Sequence, residues 1–105
     1  MSLIAKTPLP PYYAVIFTSI LSEEDHNYTQ MAEKMLALAA KQGGFLGVES
    51  TRQELGITVS YWSDLESIKV WKENIDHKEA QRLGREKWYT DFKIRIAKVE
   101  REYGI

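Results

Sequence analysis

Two histidines and three tryptophans carry most of the chemistry this sequence can offer. His77 is the stronger acid–base candidate, because a neutral imidazole takes up a proton near pH 7. It sits in Asp76-His77-Lys78-Glu79, which reads as a helix start, so it also fits the role of a polar first-turn residue. His26 falls in the first turn of an earlier helix and is expected to face solvent. The two lie far apart with no spaced acidic partner, so they give no metal-binding signature. Trp62, Trp71 and Trp88 crowd into one half of the chain. Rings at strand ends and at helical spacing build cores, and three together also supply the large walls of a ring-binding pocket. Gly43, Gly44 and Gly47 follow a helix rather than open one, which suits capping and not a dinucleotide loop.

At 105 residues there is room for one domain. Fourteen basic side chains against fifteen acidic ones leave a net charge of -1, which removes the basic surplus that nucleic-acid binding and polybasic membrane contact require. With no cysteine, disulfides, thiolate zinc sites and cysteine nucleophiles are excluded. The N-terminus lacks the pattern of a signal peptide, and no apolar run approaches membrane-spanning length, so a cytoplasmic location is the expectation.

Residues 1–11 carry Pro8, Pro10 and Pro11 and are expected to form an extended arm, with a single domain over 12–105. Tyr12 to Leu21 is rich in aromatic and β-branched residues and predicts a strand. Ser22 to Asp25 resembles a capping box. The helix it opens places Tyr28, Met31, Ala32, Met35, Leu38 and Ala39 on one stripe and ends at Gln42-Gly43-Gly44, where glycine supplies a left-handed turn. Phe45–Arg52 and Ile57–Trp62 read as a hairpin around residues 53–56. Ser63-Asp64-Leu65-Glu66 is a complete capping box, opening a helix with Leu65, Ile68, Trp71 and Ile75 on one side. A break near Ile75–Asp76 splits this helical stretch, whose second part runs to about Trp88. A long strand over Tyr89–Tyr103 follows. The order β-α-β-β-α-β, with the second helix split, is the ferredoxin-like α+β pattern.

Such a sheet carries helices on one face, so the other should be polar in a lone monomer. Here Tyr13, Val15 and Phe17 share one face of the first strand, and Ala14, Ile16 and Ile20 share the other. Ile57, Val59 and Tyr61 lie together on the third strand with Trp62 opposite. Ile96 and the pair Ala97 and Val99 fall on opposite sides of the last strand. A large side chain contributes ~1.5–3 kcal/mol when fully buried, so two-sided apolarity predicts a homodimer paired through the sheet face.

The run YWSDLESIKVWKENIDHKEAQRLGREKWYTDFKIRIAKVEREY resembles the antibiotic biosynthesis monooxygenase (ABM) family of dimeric α+β barrels. Trp62 closes the third strand, Trp71 follows nine residues on, His77 opens the next helical segment, and an aromatic residue ends it. The resemblance implies a ferredoxin-like fold forming a dimeric α+β barrel. It further implies a monooxygenase acting on a small aromatic or quinol-like compound without metal or flavin. In that reading His77 and Trp71 are the catalytic residues, and Trp62, Tyr61, Phe17, Gln81 and Trp88 bind substrate between helices and sheet. A non-catalytic module that binds small molecules is the alternative class. Haem-degrading relatives are a third: they use an Asn on the first strand with a Trp and a haem-ligating His. Trp71 matches that Trp. Tyr12–Leu21 holds no Asn, however, and Gln81 stands where the His is expected, a poor iron ligand beside imidazole.

Overall fold

The computed structural model describes residues 3–22, 28–76 and 89–105, with side chains at all of these except 28–31, 75 and 76. Six elements follow in order: β1 (Tyr12–Leu21), α1 (Tyr28–Ala40), β2 (Phe45–Arg52), β3 (Gly56–Trp62), α2 (Leu65–Asp76) and β4 (Tyr89–Val99). They form one antiparallel sheet in the order β2-β3-β1-β4, the ferredoxin-like arrangement that the element order predicts.

Register decides which side chains meet. Residues directly opposite one another in antiparallel strands share a face. Tyr13 pairs with Trp62 and Lys98, Val15 with Ser60 and Ile96, and Phe17 with Thr58 and Ile94. This odd set of β1 faces the helices, because Val15 and Trp62 form one buried cluster with Ala39 of α1 and Ile68 of α2. The even set of β1 lies on the opposite face with Ile57, Val59 and Tyr61 of β3. The alternation read from the sequence is therefore the one that forms.

The helix boundaries are set by short-range hydrogen bonds. α2 begins one residue later than the expected box. Asp64 is its cap, with Oδ1 accepting from Ser67 N at 2.7 Å and Oδ2 accepting from Ser63 Oγ at 2.8 Å. Leu65 is exposed and leaves the apolar stripe to Ile68 and Trp71. The backbone hydrogen bond from Ser67, helped by those from the Ser63 and Ser67 side chains, holds the Asp64 carboxyl below its ordinary 3.8. The unfolded chain then binds the proton more readily, so the cap's contribution is complete above that ordinary value and fades as pH falls through the lowered one. Asp64→Ala is expected to lower Tm by a few degrees at neutral pH. Thermal melts at pH 7 and in acid check this, since the difference should shrink as pH falls below the ordinary carboxyl value.

α1 closes differently from the expectation. Lys41 N bonds to Leu38 O at 3.2 Å and Gln42 N to Ala39 O at 3.0 Å, so the last turn tightens instead of passing through a left-handed glycine. No described glycine has positive φ. Gly44 is needed for space: a Cβ there would lie 2.5 Å from Ser67 Cβ, where the chain passes the start of α2. Its carbonyl accepts from Ser63 N at 2.8 Å.

β4 stops at Val99, four residues short of the expected Tyr103. Val99 pairs with Tyr12, the first residue of β1, and Pro11 before it has no N–H to extend the ladder. The chain beyond is held by side chains instead. Tyr12 O–H donates to Glu102 at 2.6 Å, and Thr7 of the arm donates to Tyr12 OH at 3.0 Å. The arm also lays Ala5 over Gly47 and gives its Ala5 N–H to Glu49 at 3.0 Å. It therefore crosses one end of the sheet face away from the helices, the face on which Tyr12 and Ala14 are buried.

Candidate functional site

Trp62 closes β3 on the helix side and is wholly buried. Its indole N–H donates to Ser60 Oγ at 2.9 Å, two residues back on the same face. Phe45, its partner in register on β2, meets it edge-on at 5.4 Å between ring centroids. Trp71, projecting from α2, lies against the same ring at 5.1 Å between centroids with a 33° tilt. These two tryptophans, nine positions apart, are the pair that the sequence singled out, and the fold brings them into contact.

They differ in one respect that bears on chemistry. The Trp71 Nε1 atom is buried and has no hydrogen-bond acceptor among the described residues. A buried donor left unpaired costs about 1–3 kcal/mol, so native structures seldom keep one without a reason. Trp62 is a satisfied core residue. Trp71 keeps a buried donor whose acceptor is not among the described residues.

Phe17 stands two residues along β1 from the core residue Val15, on the same face. It meets Tyr89 at 5.3 Å and Phe92 at 5.8 Å, and Tyr89 and Phe92 are themselves 5.7 Å apart. Phe92, Ile94 and Ile96 continue this surface along β4 with 37%, 41% and 52% of their area exposed. The helix side of β1 and β4 is thus an apolar floor with aromatic clusters at both ends. Phe45, Tyr89 and Phe92 were not singled out from sequence. The signal for Phe92 was its shared phase with Ile94 and Ile96, which pairing to Phe17 and Ser19 turns toward the helices.

Tyr61 does not join this site. It pairs with Ala14, faces away from the helices, donates to Glu49 Oε1 at 2.6 Å and meets Tyr12 edge-on at 5.9 Å. Burial, with the Glu49 hydrogen bond adding to it, raises the Tyr61 phenol well above its ordinary 10.0, so it remains a donor at neutral pH. The expectation that it lines the same pocket as Trp62 is corrected by strand alternation, which sets neighbours on opposite faces. His77, Gln81, Trp88 and His26 lie outside the described residues. Among the described residues, no three His, Asp or Glu side chains come together as a metal-ligand set, and neither described helix is long and apolar enough to cross a membrane.

Arg52 marks the far end of the floor. Its guanidinium donates to Ser19 Oγ and, at 3.3 Å, to Ser19 O. It lies over Gly56, where any Cβ would collide with it.

Fold and register together define an α+β domain of ferredoxin-like topology with an aromatic-lined helix side. The same fold occurs in a variant of SnoaB, a cofactor-independent oxygenase from Streptomyces nogalater, at a TM-score of 0.73 and 9% identity over 87% of this chain and 95% of that one. A conserved protein from Methanosarcina mazei Go1 matches at 0.71 and 15% identity, over 83% and 91% of the two chains. A protein from Bordetella bronchiseptica, provisionally assigned as an antibiotic biosynthesis monooxygenase, matches at 0.65 and 14% identity, over 84% and 96%. At such identities the likeness is one of fold, and it is the fold that the sequence resemblance implied. No protein-family model matches the chain. In sequence it is 50% identical to the uncharacterised protein YqjZ of Bacillus subtilis (strain 168) over 104 residues, 97% of this chain and 91% of YqjZ. The chain belongs to the YqjZ family.

Proposed function

We propose that this protein is a cofactor-independent monooxygenase acting on a small aromatic or quinol-like compound bound on the helix side of the sheet. The observation that carries this reading is the buried Trp71 N–H, which has no acceptor among the described residues and lies beside Trp62. The fold shared with SnoaB supports it. An electron-rich phenol needs little from the protein. Once His77 takes its proton, the phenolate gives one electron to O2, the radical pair joins at the ring carbon para to the oxygen, and His77 returns the proton to the peroxide so formed. Loss of water from that hydroperoxide leaves the quinone, so one oxygen atom enters the product and the other leaves as water. Trp71 donates to the substrate oxygen as His77 draws the proton from it and negative charge gathers there, and Phe17, Gln81 and Trp88 hold the ring, with Trp62 packed behind Trp71. No metal or flavin takes part. The active form is a homodimer closed through the sheet face away from the helices, where Ile16, Ile57 and Val59 are half-buried and the arm shows Leu3 and Leu9 to solvent.

Oxygen uptake with a panel of naphthol- and anthrone-type substrates, after treatment with chelator, tests the activity. Uptake should be stoichiometric with quinone formed and should fall about 100-fold or more in His77→Ala, the lower end of what a positioned base contributes. Equal rates in the variant would remove His77 from the reaction. One observation favours a second reading, a binding module without turnover: the Trp62 and Trp71 rings pack on each other and occupy part of this side themselves. Binding of the same panel with no oxygen consumed would establish that reading.

A further inference from the structure

The helix side of the sheet turns polar at the end away from Trp62. Ser50 on β2 pairs with Thr58 on β3, and Thr58 with Phe17 on β1. One row further, Arg52 pairs with Gly56, Gly56 with Ser19, and Ser19 with Phe92 on β4. Both rows lie on the face of the core residue Val15, because residues two apart on a strand point the same way. Arg52 reaches across β3 to β1, two strand spacings or about 10 Å. It gives one N–H to Ser19 Oγ and, at 3.3 Å, another to Ser19 O. Gly56 opens that path, since a Cβ there would collide with the guanidinium.

Ser19 is only 2% exposed, so the cation is drawn in over the sheet and is itself half-buried. Ser19 is also uncharged: its two bonds fix the guanidinium in place without neutralising it. Beside this group stand Phe17 and Phe92, 5.8 Å apart between ring centroids, with Phe92 and the neighbouring Ile94 partly open to solvent. Ser50 Oγ and Thr58 Oγ1 lie 2.8 Å apart in the adjoining row. One of these hydroxyls donates to the other, which leaves the second proton for a further acceptor. A fixed guanidinium, a hydroxyl donor and an accessible aromatic surface match the two parts of an aromatic acid. The ring packs on Phe17 and Phe92, and the ionised carboxylate meets the planar fork of Arg52. A ring without an acid group would cover the guanidinium and give it nothing for the water it displaces. We propose that this end of the helix side binds a carboxylate, and that the ring compound taken up here is an aromatic acid whose acid group lies away from its reacting oxygen. The inference rests on the ring-binding reading given above and narrows its substrate class.

A hydroxyanthraquinone carboxylic acid and its methyl ester test it, since both are already oxidised and bind without turnover. Calorimetric titration at pH 7 and low salt should show the wild-type protein binding the acid about 10- to 100-fold more tightly than the ester, the range for a hydrogen bond to a charged group. That ratio should fall close to one in Arg52→Gln and keep an intermediate value in Arg52→Lys, which retains the charge and loses the fork. Thr58→Val, which leaves Arg52 in place, should lower it less. Added salt should narrow the wild-type ratio. A purely structural Arg52 would weaken acid and ester alike and leave their ratio intact. Equal affinities in the wild-type protein, or a ratio unmoved by Arg52→Gln, would overturn the acid site and leave ring binding standing. Failure of both compounds to bind would overturn the ring-binding reading and the acid site with it.

Discussion

Trp62→Ala is expected to lower stability by about 3–5 kcal/mol, the range for emptying a large aromatic site in a core. Three observations place Trp62 at that upper end. It is fully buried, it is in ring contact with both Phe45 and Trp71, and its N–H is satisfied by Ser60. Removing it opens a void between β3, α2 and the start of β2 that rigid strands cannot collapse into, and it leaves the Ser60 hydroxyl without its donor. A domain of this size has a total stability of roughly 5–15 kcal/mol, so the variant spends a large share of its margin. Thermal melting should show a fall of more than about 12 °C. A smaller fall would mean that neighbouring rings refill the space, and would argue against a preformed aromatic wall.

Trp71→Phe is expected to separate function from folding. The phenyl ring keeps most of the contact with Trp62 and removes a buried donor that has no acceptor among the described residues. Gain from the lost polar group offsets loss from the smaller ring, and Tm should shift by only a few degrees. If the N–H binds substrate oxygen as charge gathers there, kcat/KM falls about 10- to 100-fold, the cost of one hydrogen bond to a developing charge. The fall should lie in kcat more than in KM, because the bond strengthens in the transition state. Trp71→Ala should lose both stability and activity. A Phe variant with full activity would assign the ring a packing role only.

Much of this architecture was legible in the residues. The three β-rich runs sit where alternation and turn signals put them, and the shared face of Tyr13, Val15 and Phe17 follows from a period of two, whereas its being the helix side, with Trp62 on it, comes from register and packing. Trp71 was legible from its spacing to Ile68, three residues apart on one helical face. What was lost depended on contacts between distant segments. Tyr61 was grouped with Trp62 by chemistry although alternation already set it on the other face. Asp64 displaced Ser63 as the cap because its carboxylate reaches both the Ser67 N–H and the Ser63 hydroxyl. β4 ended early because its partner strand begins at Tyr12, a limit written in the prolines and not in β4 itself. The arm's anchoring on Glu49 and Glu102 joins residues 44 and 90 or more positions apart, beyond any local pattern.

The proposed function requires that a small aromatic compound bind beside Trp71 and accept its indole N–H. The three tryptophans give three indole N–H resonances in a nitrogen–proton correlation spectrum, and Trp71→Phe identifies the one that matters. Titrating a hydroxynaphthoquinone under these conditions should move the Trp71 resonance downfield, as expected for a donor gaining an acceptor, while the Trp62 resonance, already bonded to Ser60, shifts much less. A Trp71 resonance that stays still at saturating ligand would contradict the account.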